Sequence, residues 1–339
     1  MPRRFDEQDL VLLHALQIAP RAGWVELARA LGSTAPAWAA RWARLREAGL
    51  AWVSTYPASL SDYLVAMVEV DCEPGRRSEV VRDLCLDPRV VSVEEAAVGS
   101  DLILTTMIRD LPRLTRFLLE DLPGRPGVVR HQAHLATAIH HQGSDWRLDA
   151  LDAAQQRAVQ TSNRAPRTPH SRGGQGPPAG TWPLIEALAH DGRASAADLA
   201  RATGRNPATV RRQLARLLDS GALTFRCEVA QLSSRWPVIG SWHARVPIAE
   251  HERTAAALST LPELRLCLST TGASNLFFTV WARSLPDLLR LERLLGERLP
   301  WLELSESTVT LRTHKRMGWL LDDQGRCTGE VVAPDALRD

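Results

Sequence analysis

The side chains best equipped for directed chemistry lie together between Asn206 and Arg216. Val210, Leu214 and Leu217 recur at i, i+4 and i+7, the spacing of one buried helix face. That spacing turns Thr209, Arg212, Gln213 and Arg216 to the other side, where hydroxyl, guanidinium and amide groups can meet base edges or phosphates. Arg211 adds positive charge beside them. Asn206 suits an N-cap, and Pro207 follows at the first helical position, where a missing N–H costs nothing. An earlier stretch has the same frame and poorer chemistry. Its core positions hold Trp38, Trp42 and Leu45, and its outward positions Pro36, Ala37, Ala40, Arg41 and Arg44. Thr34 is placed to cap it. Ala37 and Ala40 stand where the later stretch has Thr209 and Arg212, so Thr34, Arg41 and Arg44 are expected to touch mainly phosphates.

The two stretches belong to one repeat. Shifted forward by 172 positions, residues 10–51 fall without a gap on 182–223, with 14 identities in 42 positions. Downstream the shift is 174, bringing Pro88 onto Pro262 and Arg109-Asp110-Leu111-Pro112 onto Arg283-Ser284-Leu285-Pro286. A period this long is a whole two-part unit fused in tandem, not a solenoid. Fusion lets one chain take the place of a symmetric dimer while its halves diverge.

Each unit reads as three short helices and a strand, then β-α-β-β-α-β. In the first copy the helices start at Asp6, run over Trp24–Leu31, and run from Thr34 to Ala48, with Gly32 and Gly49 as stops. Strands follow at Tyr63–Val70, Val90–Val98, Leu102–Ile108 and Val128–Ile139, with helices at Ser78–Cys85 and Leu111–Leu122. In the second copy the strands fall at Val238–Val246, Leu264–Thr270, Leu276–Ala282 and Leu304–Thr313. Its helices fall at His251–Leu261 and Leu285–Leu299. The expected fold is α+β: winged helix-turn-helix at 1–58 and 181–232, ferredoxin-like βαββαβ at 61–148 and 235–322. A Pro/Gly/Ser/Arg-rich tether lies between them at 161–180.

Composition narrows the class. Of 41 basic residues only Lys315 is lysine, and the net charge is +2. Residues 181–226 carry seven arginines against four acids, whereas 62–148 carry ten against fourteen. A basic small domain beside an acidic one suits a polyanion met by only part of each unit. No apolar run reaches the roughly 18 residues of a membrane span, and no signal-peptide core follows Met1, so a cytoplasmic chain is expected. Five scattered cysteines form no C-x-x-C pair. His140, His141 and His314 end strands without a convergent third ligand. They are expected to be exposed polar residues, with no metal or cofactor.

The motifs Asp6-x-x-Asp9, Glu26-Leu27-Ala28-Arg29-Ala30-Leu31-Gly32 and Arg41-Trp42-Ala43-Arg44-Leu45 followed by Gly49, together with Asp198-Leu199-Ala200-Arg201 and Gly204-x-Asn206-Pro207 through Leu217, resemble the Lrp/AsnC, or feast/famine, regulators. The resemblance covers nearly the whole chain twice. It implies a sequence-specific regulator that binds double-stranded DNA and responds to an effector, an amino acid or another metabolite. It also implies paired ferredoxin-like domains and assembly of several such pseudo-dimeric chains. In that family a Gly-x-x-Asp loop lies near the effector, which points to Gly99, Ser100 and Asp101 here and to Gly272, Ser274 and Asn275 in the second copy. The first loop is one residue shorter than the second, and the second has Asn for Asp. An amide suits an ammonium group less than a carboxylate does. Siroheme decarboxylases resemble the same family. The His-Cys-Tyr-Arg-Arg and Trp-Pro-Tyr-Asn-Leu stretches of those enzymes do not occur here, and Asn275-Leu276-Phe277-Phe278 echoes only the second. No catalytic residue is therefore assigned. A regulator acting through protein partners without DNA is the third reading.

Overall fold

A computed structural model describes residues 4–58, 63–162, 177–178 and 180–337. Three helices open the chain: α1 Glu7–Ile18, α2 Trp24–Leu31 and α3 Ala35–Glu47, followed by β1 Ala51–Pro57. The Asp6 and Asp9 carboxylates cap α1 reciprocally. Gly49, at φ +66°, ends the turn after α3, and a Cβ there would lie 2.3 Å from the Cys327 carbonyl oxygen. Next come β2 Leu64–Cys72, α4 Arg77–Leu86, β3 Val90–Ala96, β4 Leu102–Ile108, α5 Leu111–Arg116 and β5 Val128–His141. A π-helical turn, Phe117–Asp121, extends α5.

After α6 Ala153–Ser162 the pattern returns: α7 Trp182–His190, α8 Ala196–Thr203, α9 Pro207–Asp219 and β6 Leu223–Val229. Then follow β7 Val238–Arg245, α10 His251–Leu258, β8 Leu264–Thr270, β9 Leu276–Ala282, α11 Leu285–Arg298 and β10 Glu303–Arg316. Two short strands, β11 Trp319–Leu321 and β12 Cys327–Val331, lie beyond the expected pattern, as does α6. The tether expected at 161–180 lies mostly outside the described residues; its first two residues close α6.

The strands β3-β4-β2-β5-β8-β9-β7-β10 pair in that order, and β10 pairs back onto β3. Eight strands thus close into a barrel-like sheet, with β11 attached along β10 and β12 along β11. Closure removes the open edges that a free four-stranded sheet would carry. Two seams join the halves: β5 with β8, and β3 with β10. Helices cover the outside. Ala66, Val68 and Val70 of β2 pack under α4 and α5, and Trp242 and Ala244 of β7, with Val246 just beyond it, pack under α10 and α11. The alternate residues, Val65, Met67 and Glu69 on β2 and Ser241 and His243 on β7, therefore face inward.

The two helical heads pair separately. The strand after each head joins its counterpart in a two-stranded antiparallel ribbon, β1 with β6, in which Ala51 faces Val229 and Pro57 faces Leu223. The first head packs into one core with Trp146, Leu148 and Leu151, and with Trp236, Ile239 and Trp281. The second packs with Ala333 and Leu337 of the C-terminal segment. Among the described residues no helix is long and apolar enough to cross a membrane.

Candidate nucleic-acid interface and the loops between halves

The outward face of α9 follows from its buried one. Val210, Leu214 and Leu217 close against Leu184, Leu188 and Leu199. Asn206 Oδ1 accepts from the Ala208 N–H at 2.9 Å, so this residue is spent on the cap. Arg211, Arg212 and Arg216 stand exposed, while Thr209 and Gln213 are half-buried. Gln213 Oε1 accepts from Arg205 at 3.3 Å. Among the described residues these three guanidinium groups have no ion-pair partner.

On α3 the corresponding surface is largely turned to internal use. Trp38, Trp42 and Leu45 are core residues, and Trp38 Nε1 donates to the Gly32 carbonyl at 2.9 Å. Thr34 Oγ1 accepts from the Ala37 N–H at 3.3 Å, which caps the helix. Arg41 does not stand free. It pairs with Asp6 at 2.8 Å and with Asp9, pinning α3 to the start of α1. Of the three residues expected to touch DNA here, only Arg44 is both cationic and exposed.

A reciprocal arginine exchange fixes the heads against each other. Arg21 donates to the carbonyls of Gly192 and Ala194, the latter at 2.9 Å. Arg193 donates to the carbonyls of Pro20 and Ala22, the latter at 2.8 Å. The 172-residue shift carries each of these three residues onto its counterpart. Residue i meets j and j meets i, as across a two-fold axis. Arg193 also lies 4.1 Å from the Trp24 ring centre and Arg21 lies 5.1 Å from that of Phe225. Both cations thus bury their planes on aromatic faces.

Beneath the ribbon lies a buried ionic cluster that sequence reasoning missed. Glu228 on β6 accepts from Arg265 at 2.7 Å and pairs with Arg226. Burial alone would raise the Glu228 carboxyl, but Arg226, Arg265 and Arg316 hold it below the usual carboxylate range. Arg265 also donates to the Gly143 carbonyl at 3.0 Å and stacks 4.2 Å from the Trp281 ring centre. The 172 shift pairs Glu228 with Tyr56, so pattern matching gave no warning of a charge here.

The loops expected to bind an effector sit at the seams, each against the last strand of the other half. Ala97 N donates to the Val309 carbonyl at 2.9 Å, and Thr271 N to the Leu135 carbonyl at 2.9 Å. Asp101 Oδ2 accepts from Cys72 N at 2.8 Å, and its other oxygen pairs with Arg77. Asn275 Oδ1 accepts from Val246 N at 2.9 Å while its Nδ2 donates to the Val246 carbonyl at 2.8 Å. The 174 shift carries Asp101 onto Asn275 and Cys72 onto Val246, so both side chains clamp the end of the same strand. Gly99 and Gly272 take φ values of +82° and +117°, which favour glycine. A Cβ at Gly272 would press on the His134 ring at 3.2 Å. Ser100 Oγ reaches Glu69 at 3.4 Å, and the Ser274 carbonyl accepts from Thr270. A groove of about 550 Å³ lies elsewhere, lined by Arg147, Trp236, Glu263, Arg283 and Arg290 among others.

The three histidines expected to be exposed are half-buried. His140 Nε2 lies 2.7 Å from Ser269 Oγ, and His314 Nε2 lies 3.1 Å from Glu95. They end strands at the seams, where the neighbouring half covers them. A different group converges instead. Glu69 and His243 face each other inside the barrel at 2.8 Å, and the His134 and His243 ring centres lie 4.8 Å apart. Nothing in either copy read alone marks this group; the 174 shift superposes Glu69 on His243 but does not show that they meet.

Residues 5–46 match the AsnC-type helix-turn-helix domain, and residues 184–224 match a winged helix-turn-helix DNA-binding domain. The chain thus carries one helix-turn-helix that matches the AsnC type and a second that matches a winged helix-turn-helix. It is 27% identical over 143 residues to an uncharacterised helix-turn-helix transcriptional regulator of Pyrococcus horikoshii, covering 41% of this chain and 89% of that one. A similar regulator of Pyrococcus abyssi is 26% identical over 145 residues, covering 41% of this chain and 90% of that one. Over its whole length the fold is similar to the crystal structure of the siroheme decarboxylase NirDL: TM-score 0.52, 14% identity, 98% of this chain and 96% of that one. At that identity the likeness is one of fold.

Proposed function

We propose that this chain is a DNA-binding transcriptional regulator in which two tandem units act as a covalent pseudo-dimer. The reciprocal Arg21 and Arg193 exchange carries this reading. It holds the two heads as one rigid pair, the arrangement a helix-turn-helix dimer needs to place two helices in successive major grooves. The β1–β6 ribbon and the two barrel seams support the same axis. The helix-turn-helix matches and the Pyrococcus relatives support DNA as the partner.

Within the pair, α9 is the main reader. Arg212 and Arg216 are assigned to base edges or phosphates, Arg211 to phosphate, and Thr209 and Gln213 to shorter-range contacts as Gln213 exchanges Arg205 for DNA. Asn206 and Thr34 act by exposing capped helix ends, Arg44 contacts phosphate, and Arg41 positions α3. The loops at Gly99–Asp101 and Gly272–Asn275 are where a small metabolite would act, by binding two arrangements of the halves with unequal affinity. Asp101 and Asn275 serve there as backbone clamps. Further association of whole chains belongs to the same reading.

A mobility shift on DNA from upstream of its own gene tests the proposal. A retarded complex that weakens steeply with salt is expected; no complex at low salt would leave the protein-partner reading. The full-length likeness to NirDL favours one rival, a tetrapyrrole enzyme. Incubation with siroheme separates it: an unchanged visible spectrum is expected, and a shifted one with release of CO2 would replace the regulator reading.

A further inference from the structure

We infer that Glu69, His134 and His243 form a binding site for one divalent first-row transition metal ion inside the barrel. A ligand atom from each lies within 4.8 Å of the other two. Bonds of about 2.1 Å to imidazole nitrogen and carboxylate oxygen put such ligands about 3–4 Å apart, so side-chain shifts of about 1 Å close the site. Two imidazoles and a carboxylate suit zinc, nickel, copper, cobalt or iron rather than calcium or magnesium.

The surroundings set the rings for this. His134 Nδ1 lies 3.4 Å from the Thr271 carbonyl, an acceptor, so Nδ1 carries the proton and Nε2 keeps its lone pair. A ring nitrogen donating to a carbonyl while the other faces the ion is a usual outer-shell arrangement. Gln132 lies 3.3 Å from that Nε2 and can turn its amide oxygen toward a cation. Among the described residues the buried His243 Nδ1 has no hydrogen-bond partner, so only the Nε2 contact with Glu69 fixes that ring's tautomer. His243 itself is 9% exposed and His134 5%. Nε2 of His243 already sits on Glu69 at 2.8 Å, and a metal ion would take the place of the proton between them.

The site exists only because the halves differ. Glu69 and His243 occupy one position of the repeat and meet at its axis. His134 flanks them on one side, and Thr308 stands at its repeat counterpart. Two identical units would place Glu against Glu or His against His. Ser100 and Thr271 bring both seam loops to the site. The inference does not rest on the DNA reading, and a chain that bound metal but no DNA would retain it.

The test loads tag-free, chelator-treated full-length chain with Co2+ alone and reads metal content and visible absorption. About one cobalt per chain is expected, with d–d bands and no thiolate charge transfer. Outer-shell losses cost about 10–100-fold in affinity, so His134→Ala and His243→Ala should each lose at least about a hundredfold. Thr308→Ala should change nothing. Pulsed electron resonance on Cu2+-loaded wild type, expected to show two coupled imidazoles, needs no variant and is immune to misfolding. No cobalt above the dialysis buffer, thiolate bands, or binding unaltered in folded His134→Ala would overturn the inference.

Discussion

The third helices of the two heads, α3 and α9, share a frame and differ in how their charges are placed. On α9 three arginines stand exposed, and the buried face is narrow and aliphatic. On α3 two tryptophans widen the buried face, and Arg41 is drawn back onto Asp6 and Asp9. One helix spends its polar groups on solvent and the other on its own domain. The same divergence recurs beneath the heads, where Glu228 holds a charged cluster at the position that Tyr56 occupies in the first copy. Under the proposed fusion this is permissible: a residue optimised in one half no longer imposes itself on the other.

The largest effect should come from breaking the charged side of that contrast. Glu228→Gln leaves Arg226 and Arg265 buried without their carboxylate, and denaturant unfolding should show a loss of about 3–5 kcal/mol. Tyr56→Phe should cost far less. Because the Glu228 carboxyl is held low, its contribution is complete above the ordinary carboxylate pKa of about 4.3 and is lost as pH falls through the lower folded value.

Acid should loosen the first head before the second. His14 is 2% exposed, and burial with help from Arg147 pulls its pKa down to about 4. Its Nδ1 accepts the N–H groups of Ala150 at 3.2 Å and Leu151 at 3.1 Å, which only the neutral ring can do. The folded pKa lies below the unfolded one, so this contribution is present above about pH 6.5 and is lost as pH falls toward 4. At most about 3 kcal/mol is involved. Glu186 occupies the matching position of the second copy and is exposed. Amide protection in α1, corrected for the intrinsic exchange rate at each pH, should therefore fall between pH 7 and 5 more than in α7; an equal fall would remove His14 as the cause.

Smaller effects concern single contacts. Arg212→Ala should cost about 1–3 kcal/mol of DNA affinity if it reads a base. Arg41→Ala should instead lower the stability of the first head, and a direct loss of DNA affinity with unchanged stability would show that its ion pairs open on DNA. Asn275→Asp should cost about 1 kcal/mol, since a carboxylate cannot donate to the Val246 carbonyl. Asp101→Asn keeps the acceptor for Cys72 N but gives up the charge facing Arg77, and a thermal melt compares the two.

The fold was legible where periodicity and punctuation agreed. Leu102–Ile108, Leu264–Thr270 and Leu276–Ala282 fall within the predicted bounds, and Asn206-Pro207 marked the start of α9. What escaped depends on contacts between distant segments. β1 reads as a short extended piece, and only its partner β6 shows it to be half of a ribbon. Arg21 and Arg193 were visible as an identity of the repeat, but not as a clasp, because their acceptors are backbone carbonyls. Arg41 looked outward by helical phase, and its ion pairs depend on where α1 starts. The Glu69, His134 and His243 group lies on three strands whose order in the barrel no local pattern encodes.

The central claim is that one chain presents two paired but unequal readers. Fluorescence anisotropy at fixed salt, on DNA that the wild type retards, compares R211A/R212A/R216A with Arg44→Ala. The unequal pair predicts a loss of at least about a hundredfold and a shallower salt slope for the α9 variant, and less than about tenfold for Arg44→Ala. Equal losses from the two helices, with both variants folded, would contradict it.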